Sequence, residues 1–244
     1  VFVRTVKEHR FLLVLRFEET VGADVSDTDP GRTGEPPGTP EARDEGSEPA
    51  ARAVRTWLEA ARERLAGLEG ADGVLLRGFS RRPDWPAFPE VFGMRSLAVA
   101  AYPMYRGVAR LVGMEAAEAG DGPEGAVAAA EEALSDHDFV FAHVKGTDRA
   151  GEDGDFDRKA AIIEEADGRV SRLMAAGADV LLVTGDHSTP ARMGRHSWHP
   201  VPFLLAGGEG RPGPAAAFGE SACARGGLGL RRGRELMPLA AARA

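Results

Sequence analysis

Apolar residues are distributed along this chain in two textures. In the first third they are interrupted. Val1, Val3 and Val6 alternate with other residues and lead into the continuous apolar run 11–15, a pattern that predicts strands. Residues 22–50 are dominated by Gly, Pro, Asp and Glu, with Pro36, Pro37 and Pro40 among them, so a long mobile loop is predicted there. Over 51–70, Val54, Trp57, Leu58, Ala61, Leu65 and Leu68 recur at helical spacing with Arg and Glu opposite. That predicts an amphipathic helix with Gly70 suited to its C-terminal cap. Residues 74–76 read as a short strand and 78–92 as a Pro-rich connector.

From residue 96 onward short apolar runs alternate with helical patterns. Strands are predicted at 97–101, 139–144, 180–184 and 201–206, and helices at 104–112, 125–134 and 158–175. In the last helix Ile162, Ile163, Ala166, Val170 and Leu173 should face inward. Strands of four to six apolar residues alternating with helices specify an α/β architecture, with a mainly parallel sheet and flanking helices. No internal repeat is found. The change of texture places a smaller α+β domain at 1–92 and the α/β part at 93–244.

Composition narrows the function classes. A hydrophobic content of 43% is enough for a packed core. With 30 basic against 38 acidic residues the formal net charge is −8, which argues against nucleic acid or an anionic membrane as partner. An anionic ligand must therefore be held by local cations, a metal ion or backbone N–H groups. A single cysteine, Cys223, excludes an internal disulfide framework and a thiolate zinc cluster. No apolar run approaches the roughly 18 residues of a membrane span, and residues 1–16 lack a signal-peptide cleavage pattern. A soluble, cytoplasmic protein is expected. The chain opens on Val1, which either an alternative start codon or a fragment edge would give.

The chemistry collects after predicted strands. The strand at 139–144 runs into Lys145, Gly146, Thr147 and Asp148, and the strand at 180–184 runs into Asp186 and His187. His196 follows shortly before the last strand. In open α/β sheets functional groups gather at the carboxyl ends of strands, so these groups should share one rim. Asp with His is a ligand set for borderline divalent ions such as Mn²⁺ or Zn²⁺, and a pair of ions suits phosphoryl transfer. The plainer readings remain open residue by residue. Asp148 alone would serve as a helix N-cap, and His196 alone as a hydrogen-bonded loop histidine.

These segments resemble the cofactor-independent phosphoglycerate mutases of the archaeal type, in the alkaline phosphatase superfamily. The string from Asp138 to Asp148 is similar to the family's strand and metal loop. Thr184-Gly185-Asp186-His187-Ser188-Thr189-Pro190 is similar to its second metal loop, and His196-Ser197 with Pro200-Val201-Pro202 to its third. The tail around Phe218-Gly219-Glu220 and Gly226-Gly227-Leu228-Gly229 also fits. Glu8-His9-Arg10, Ser26-Asp27-Thr28-Asp29-Pro30 and Leu76-Arg77-Gly78 resemble the inserted substrate domain.

The resemblance implies interconversion of 3-phosphoglycerate and 2-phosphoglycerate, in glycolysis and gluconeogenesis, through a phosphoserine enzyme. It also implies two divalent metal ions, usually Mn²⁺, with Mg²⁺, Zn²⁺ or Co²⁺ as alternatives. Asp148 and His196 would hold one ion, and Asp186 and His187 the other. Lys145 would offset phosphate charge as a point cation. His9, Arg10, Asp27, Asp29 and Arg77 would orient the glycerate or move its hydroxyl proton, the catalytic share falling to His9 and Asp27. As plain surface or capping groups the same five residues are equally well explained.

Two departures from the family pattern matter. Glu152 stands where many relatives have a histidine, and it can give an oxygen ligand or face solvent. The family's first metal Asp and its nucleophilic Ser have no counterpart here, so the chain resembles roughly the last three fifths of such an enzyme. Ser188 is given no nucleophilic role by the resemblance. The competing readings are another metal-dependent phosphatase or phosphomutase on the same scaffold, and a truncated, non-catalytic protein that binds phosphorylated metabolites or a partner.

Overall fold

The computed structural model describes residues 1–7, 9–120, 122–208, 213–215 and 217–244, so Glu8 of the Glu8-His9-Arg10 string lies outside the described residues. Two compact units make up the chain, Val1–Asp84 and Trp85–Ala244.

In the first unit β1 (Phe2–Lys7) and β2 (Arg10–Val14) form an antiparallel hairpin, with Phe2 opposite Val14 and Thr5 opposite Phe11. The ring of Phe11 meets Trp57 of α1 (Glu48–Leu65), centroids 5.9 Å apart, which explains one position of the helical apolar stripe. That helix ends before Gly70. Ala66 is its cap, donating its N–H to the Arg62 carbonyl, and Gly67 at φ 85° then turns the chain away.

The segment predicted as a long mobile loop is tied down at several points. Val25 bridges Ala42, a 3₁₀ turn at Glu45–Ser47 is capped by Asp44, and the Ser47 hydroxyl accepts from the Asp24 N–H at 2.9 Å. Ser47 and Thr28 are buried. The strand predicted at 74–76 does not form. Leu76 instead makes a local exchange with Thr28, whose N–H donates to the Leu76 carbonyl (2.8 Å) and whose Oγ1 accepts from the Leu76 N–H (2.7 Å). One of these partners is a side chain, so no backbone ladder propagates.

The second unit runs α2 (Phe88–Phe92), β3 (Ser96–Ala100), α3 (Pro103–Leu111), β4 (Glu115–Ala117), α4 (Gly122–Ala133), β5 (Phe139–His143), α5 (Gly146–Glu152), α6 (Phe156–Ala175), β6 (Val180–Val183), β7 (Leu204–Gly207), α7 (Glu220–Cys223) and α8 (Leu236–Ala241). The α/β class read from the sequence is the class observed. Strands β4, β3 and β5 form a parallel sheet in that order, with helices packed on it. The β6–β7 pair is antiparallel. Residues 184–203 between those strands contain no helix, and a parallel return needs a crossover of about a dozen residues, usually helical.

The core of this unit sits on β3. Ala98 packs with Ala109 of α3 and Met114, Val99 packs with Ala119 and with Ala130 of α4, and Ala100 is buried as well. Small residues on the helices let them approach the sheet closely. Five of these elements escape the sequence patterns. They are α2 inside the predicted connector, the three-residue β4, α5, which occupies what read as a loop, and the short helices α7 and α8. Helix α6 carries no fully buried residue, and Ile163, predicted inward, is half exposed. Among the described residues no helix is long and apolar enough to cross a membrane.

Candidate metal centre

The chain leaves β5 at His143 and turns at once into α5, which puts Asp148 in the first turn of a helix rather than on a loop. A carboxylate there is favoured by the exposed N–H groups of the turn. Lys145, one turn earlier, donates to Asp148 Oδ2, and the Asp148 side chain is only 13% exposed. Burial works against the charge on both partners. For Asp148 the hydrogen bonds from Lys145 and Thr189 outweigh it and hold the carboxyl below its usual range. For Lys145 burial is the largest single influence, but the hydrogen bond to Asp148 and the nearby charge of Asp148 together raise the ammonium above its usual value.

Helix α5 is pressed against the loop that follows β6. A Cβ on Gly151 would overlap the Thr189 carbonyl, so only glycine permits this approach. Lys159 of α6 ties the same place together, its Nζ donating to the Thr147 and Thr189 carbonyls at 3.0 Å each. Within the β6 loop Asp186 Oδ1 accepts from the His187 N–H at 3.1 Å. Ser197 then folds back on Ser188, its N–H donating to the Ser188 carbonyl at 2.9 Å. That bridge brings His196 beside His187, their rings stacked with centroids 3.9 Å apart.

Asp148 from helix α5 and His187 and His196 from the β6–β7 connection thus converge, each offering one ligand atom, and those atoms lie within 4.8 Å of one another. One carboxylate with two imidazoles is a donor set for a first-row divalent ion. His196 Nε2 is 3.5 Å from Asp148 Oδ1 and 3.5 Å from Glu152 Oε1, so Glu152 borders the cluster instead of turning away from it. Asp186 Oδ2 is 3.5 Å from His187 Nε2 on the more exposed side. Of the five ligands expected from the sequence, three form the tight group and two stand at its margin.

Several contributors carry no signal that the sequence pattern isolates. Thr189 is buried and donates to Asp148 Oδ1 at 2.6 Å, while His187 Nδ1 lies 3.1 Å from the same hydroxyl. Lys159 looks like any polar position of an amphipathic helix. Tyr105 of α3 stacks on His143 with centroids 3.7 Å apart. Burial raises the Tyr105 phenol and lowers the His143 imidazole.

The other candidates lie in the first unit. The side chain of Asp27 accepts from the Gly78 N–H at 2.9 Å, and Asp29 accepts from the Gly31 N–H at 2.8 Å. Arg77 Nη1 approaches Asp29 Oδ2 at 3.5 Å, so Asp27, Asp29 and Arg77 occupy one neighbourhood. His9 and Arg10 are exposed at the turn of the β1–β2 hairpin.

The metalloenzyme superfamily pattern matches residues 25–243. The chain belongs to the metalloenzyme superfamily. Among its relatives, a protein of Thermus thermophilus named "Probable 2,3-bisphosphoglycerate-independent phosphoglycerate mutase" is 47% identical over 243 residues, 98% of this chain and 60% of the relative. A protein of Deinococcus radiodurans with the same name is 43% identical, covering 99% and 60%. Among solved structures, the cofactor-independent phosphoglycerate mutase of Thermoplasma acidophilum superposes with a TM-score of 0.61 at 25% identity, over 94% of this chain and 61% of that one. A Pyrococcus horikoshii protein superposes with a TM-score of 0.74 at 31% identity, over 82% and 59%. This member of the superfamily therefore spans about three fifths of the length of the relatives it matches.

Proposed function

We propose that this chain carries most of the metal-binding centre and the substrate-orienting segment of a 2,3-bisphosphoglycerate-independent phosphoglycerate mutase. The reaction would interconvert 3-phosphoglycerate and 2-phosphoglycerate through a phosphoserine, in the cytoplasm, as a step of glycolysis and gluconeogenesis. The observation that carries the reading is the convergence of Asp148, His187 and His196 on one point, in a chain that resembles such enzymes along nearly its whole length. The nucleophilic Ser and the first metal Asp would come from the two fifths of a relative's length that this chain does not span.

The site would take two divalent ions, Mn²⁺ first among them. Asp148 and His196, with Glu152 beside them, would hold one, and Asp186 with His187 the other. When bound, such ions neutralise charge on the transferring phosphoryl group. The chain's own groups have distinct parts. Asp148 is kept ionised by Lys145 and Thr189, so it is available as an anionic ligand at neutral pH. Lys145, partly exposed and held on Asp148, would set its ammonium against a phosphate oxygen. Arg10 and Arg77 would bind the anionic ends of the glycerate, with Asp29 steadying Arg77. His9 and Asp27 would move the proton of the glycerate hydroxyl.

The test joins this chain to the remaining part of the Thermus thermophilus relative and assays both polypeptides. Mn²⁺-dependent conversion of 3- to 2-phosphoglycerate by the joined protein, with little by residues 1–244 alone, is expected. Release of free phosphate without isomer formation would assign the scaffold to a phosphatase. Robust isomerisation by the 244-residue chain alone would overturn the assignment of the nucleophile.

A further inference from the structure

We infer that Thr189 is a positioning residue that fixes the tautomer of His187 and thereby turns the Nε2 lone pair toward the metal centre. The Thr189 hydroxyl has a single hydrogen and two polar neighbours, Asp148 Oδ1 at 2.6 Å and His187 Nδ1 at 3.1 Å. An ionised carboxylate only accepts, so the hydroxyl hydrogen goes to Asp148. The remaining contact needs a donor on the other side. Nδ1 must therefore carry the imidazole proton, which leaves Nε2 unprotonated.

One neighbour of Nε2 competes with that assignment. Asp186 Oδ2 lies 3.5 Å from it, and the ring of His196 is stacked against His187. A carboxylate there favours a proton on Nε2, so the buried Thr189 contact at Nδ1 must outweigh the more exposed Asp186 contact in the metal-free chain, and a divalent ion between Nε2 and Asp186 would remove the conflict. Thr189 is held to the task. It is 4% exposed, its carbonyl accepts from Lys159 Nζ at 3.0 Å, and Gly151 packs directly against it. One hydroxyl thus couples Asp148 and His187, two groups that arrive from different strands. Partners of this kind typically account for 10–100-fold in metal affinity.

This inference rests on the reading of the cluster as a divalent-ion site, and its test separates the two. Nitrogen-15 spectra of the metal-free 244-residue chain, at a pH about 1.5 units above the ordinary imidazole value, report which ring nitrogen of His187 carries the proton. The expected result is protonation on Nδ1 in the unaltered chain and in Thr189→Ser, with a shift toward protonation on Nε2 in Thr189→Val. Mn²⁺ titration of the same three proteins should show affinity falling at least about tenfold in Thr189→Val and staying within about twofold in Thr189→Ser. Protonation of His187 on Nε2 in the unaltered chain would overturn the inference even if Thr189→Val failed to fold. An unaltered affinity in folded Thr189→Val would overturn it too. The expected tautomer together with no Mn²⁺ binding by the unaltered chain would sink the metal reading and leave the tautomer assignment standing.

Discussion

Strands β3 and β6 are both short and apolar, SLAVA and VLLV, yet they live in different surroundings. Strand β3 has a parallel neighbour on each edge, and four of its five residues are buried. Strand β6 is the more hydrophobic of the two, but its only strand partner among the described residues is β7, and none of its four residues is fully buried. Helix α6 repeats the contrast. It meets α4 through Arg169 and Arg172 on Glu124 and Glu131, and it leaves Ile163 half exposed. Burial is decided by what packs around a segment and not by its own apolarity. The loop after β6 that carries His187 therefore hangs on the less buried side. Its shape is set by polar ties, with Lys159, Thr189 and the glycine contact at Gly151 doing the work that a core does around β3.

The contrast can be broken most forcefully by placing the same charge on both strands. Val99→Asp puts an unpaired carboxylate into the core of β3 and should cost about 4 kcal/mol or more. Val183→Asp, on half-buried β6, should cost about half that, since water can reach the new charge. Urea unfolding of the two variants checks this, and equal losses would show that β6 is as well packed as β3. A smaller effect is expected at the polar ties. Gly151→Ala forces α5 away from the Thr189 carbonyl at a cost of about 1–3 kcal/mol, and it should weaken Mn²⁺ binding. Thermal melts with and without Mn²⁺ would reveal the two losses together, and a variant that melts and binds like the unaltered chain would remove Gly151 from the account.

The smallest effect concerns acid. Asp138, at the start of β5, accepts from the backbone N–H and the guanidinium of Arg95, and those hydrogen bonds pull its carboxyl from 3.8 down to about 2. A carboxyl lowered in the folded state stabilises that state above its ordinary value, and the contribution disappears as pH falls through the lowered one. Asp138→Asn should thus melt slightly lower than the unaltered chain near neutral pH and lose less stability between pH 3.8 and about 2. Parallel melting curves across that window would discard the role of this pair.

Much of this arrangement was legible before any coordinates. The apolar runs located β2, β3, β5, β6 and β7 to within a few residues, because four or five consecutive apolar residues have few other uses in an α/β chain. Asp148, Asp186, His187 and His196 were identifiable from their positions after strands. What stayed hidden depended on partners distant in sequence. Residues 74–76 have strand composition, but Leu76 is satisfied by Thr28 and builds no ladder. Helix α5 contains two glycines and little periodicity, and it forms under tertiary contact with the Thr189 loop. Ile163 fitted an inward stripe, yet its side of α6 has less packed on it than the pattern assumes. Lys159 reaches the Thr189 carbonyl 30 residues away and Thr189 reaches Asp148 across 41, ties which no local pattern encodes.

The account turns on whether Asp148, His187 and His196 grip an ion together. Calorimetric titration of the 244-residue chain with Mn²⁺, alongside Asp148→Asn, tests it most directly. Saturable binding by the unaltered chain that Asp148→Asn abolishes is the predicted result. No binding by the unaltered chain, or equal binding by both proteins, would contradict it.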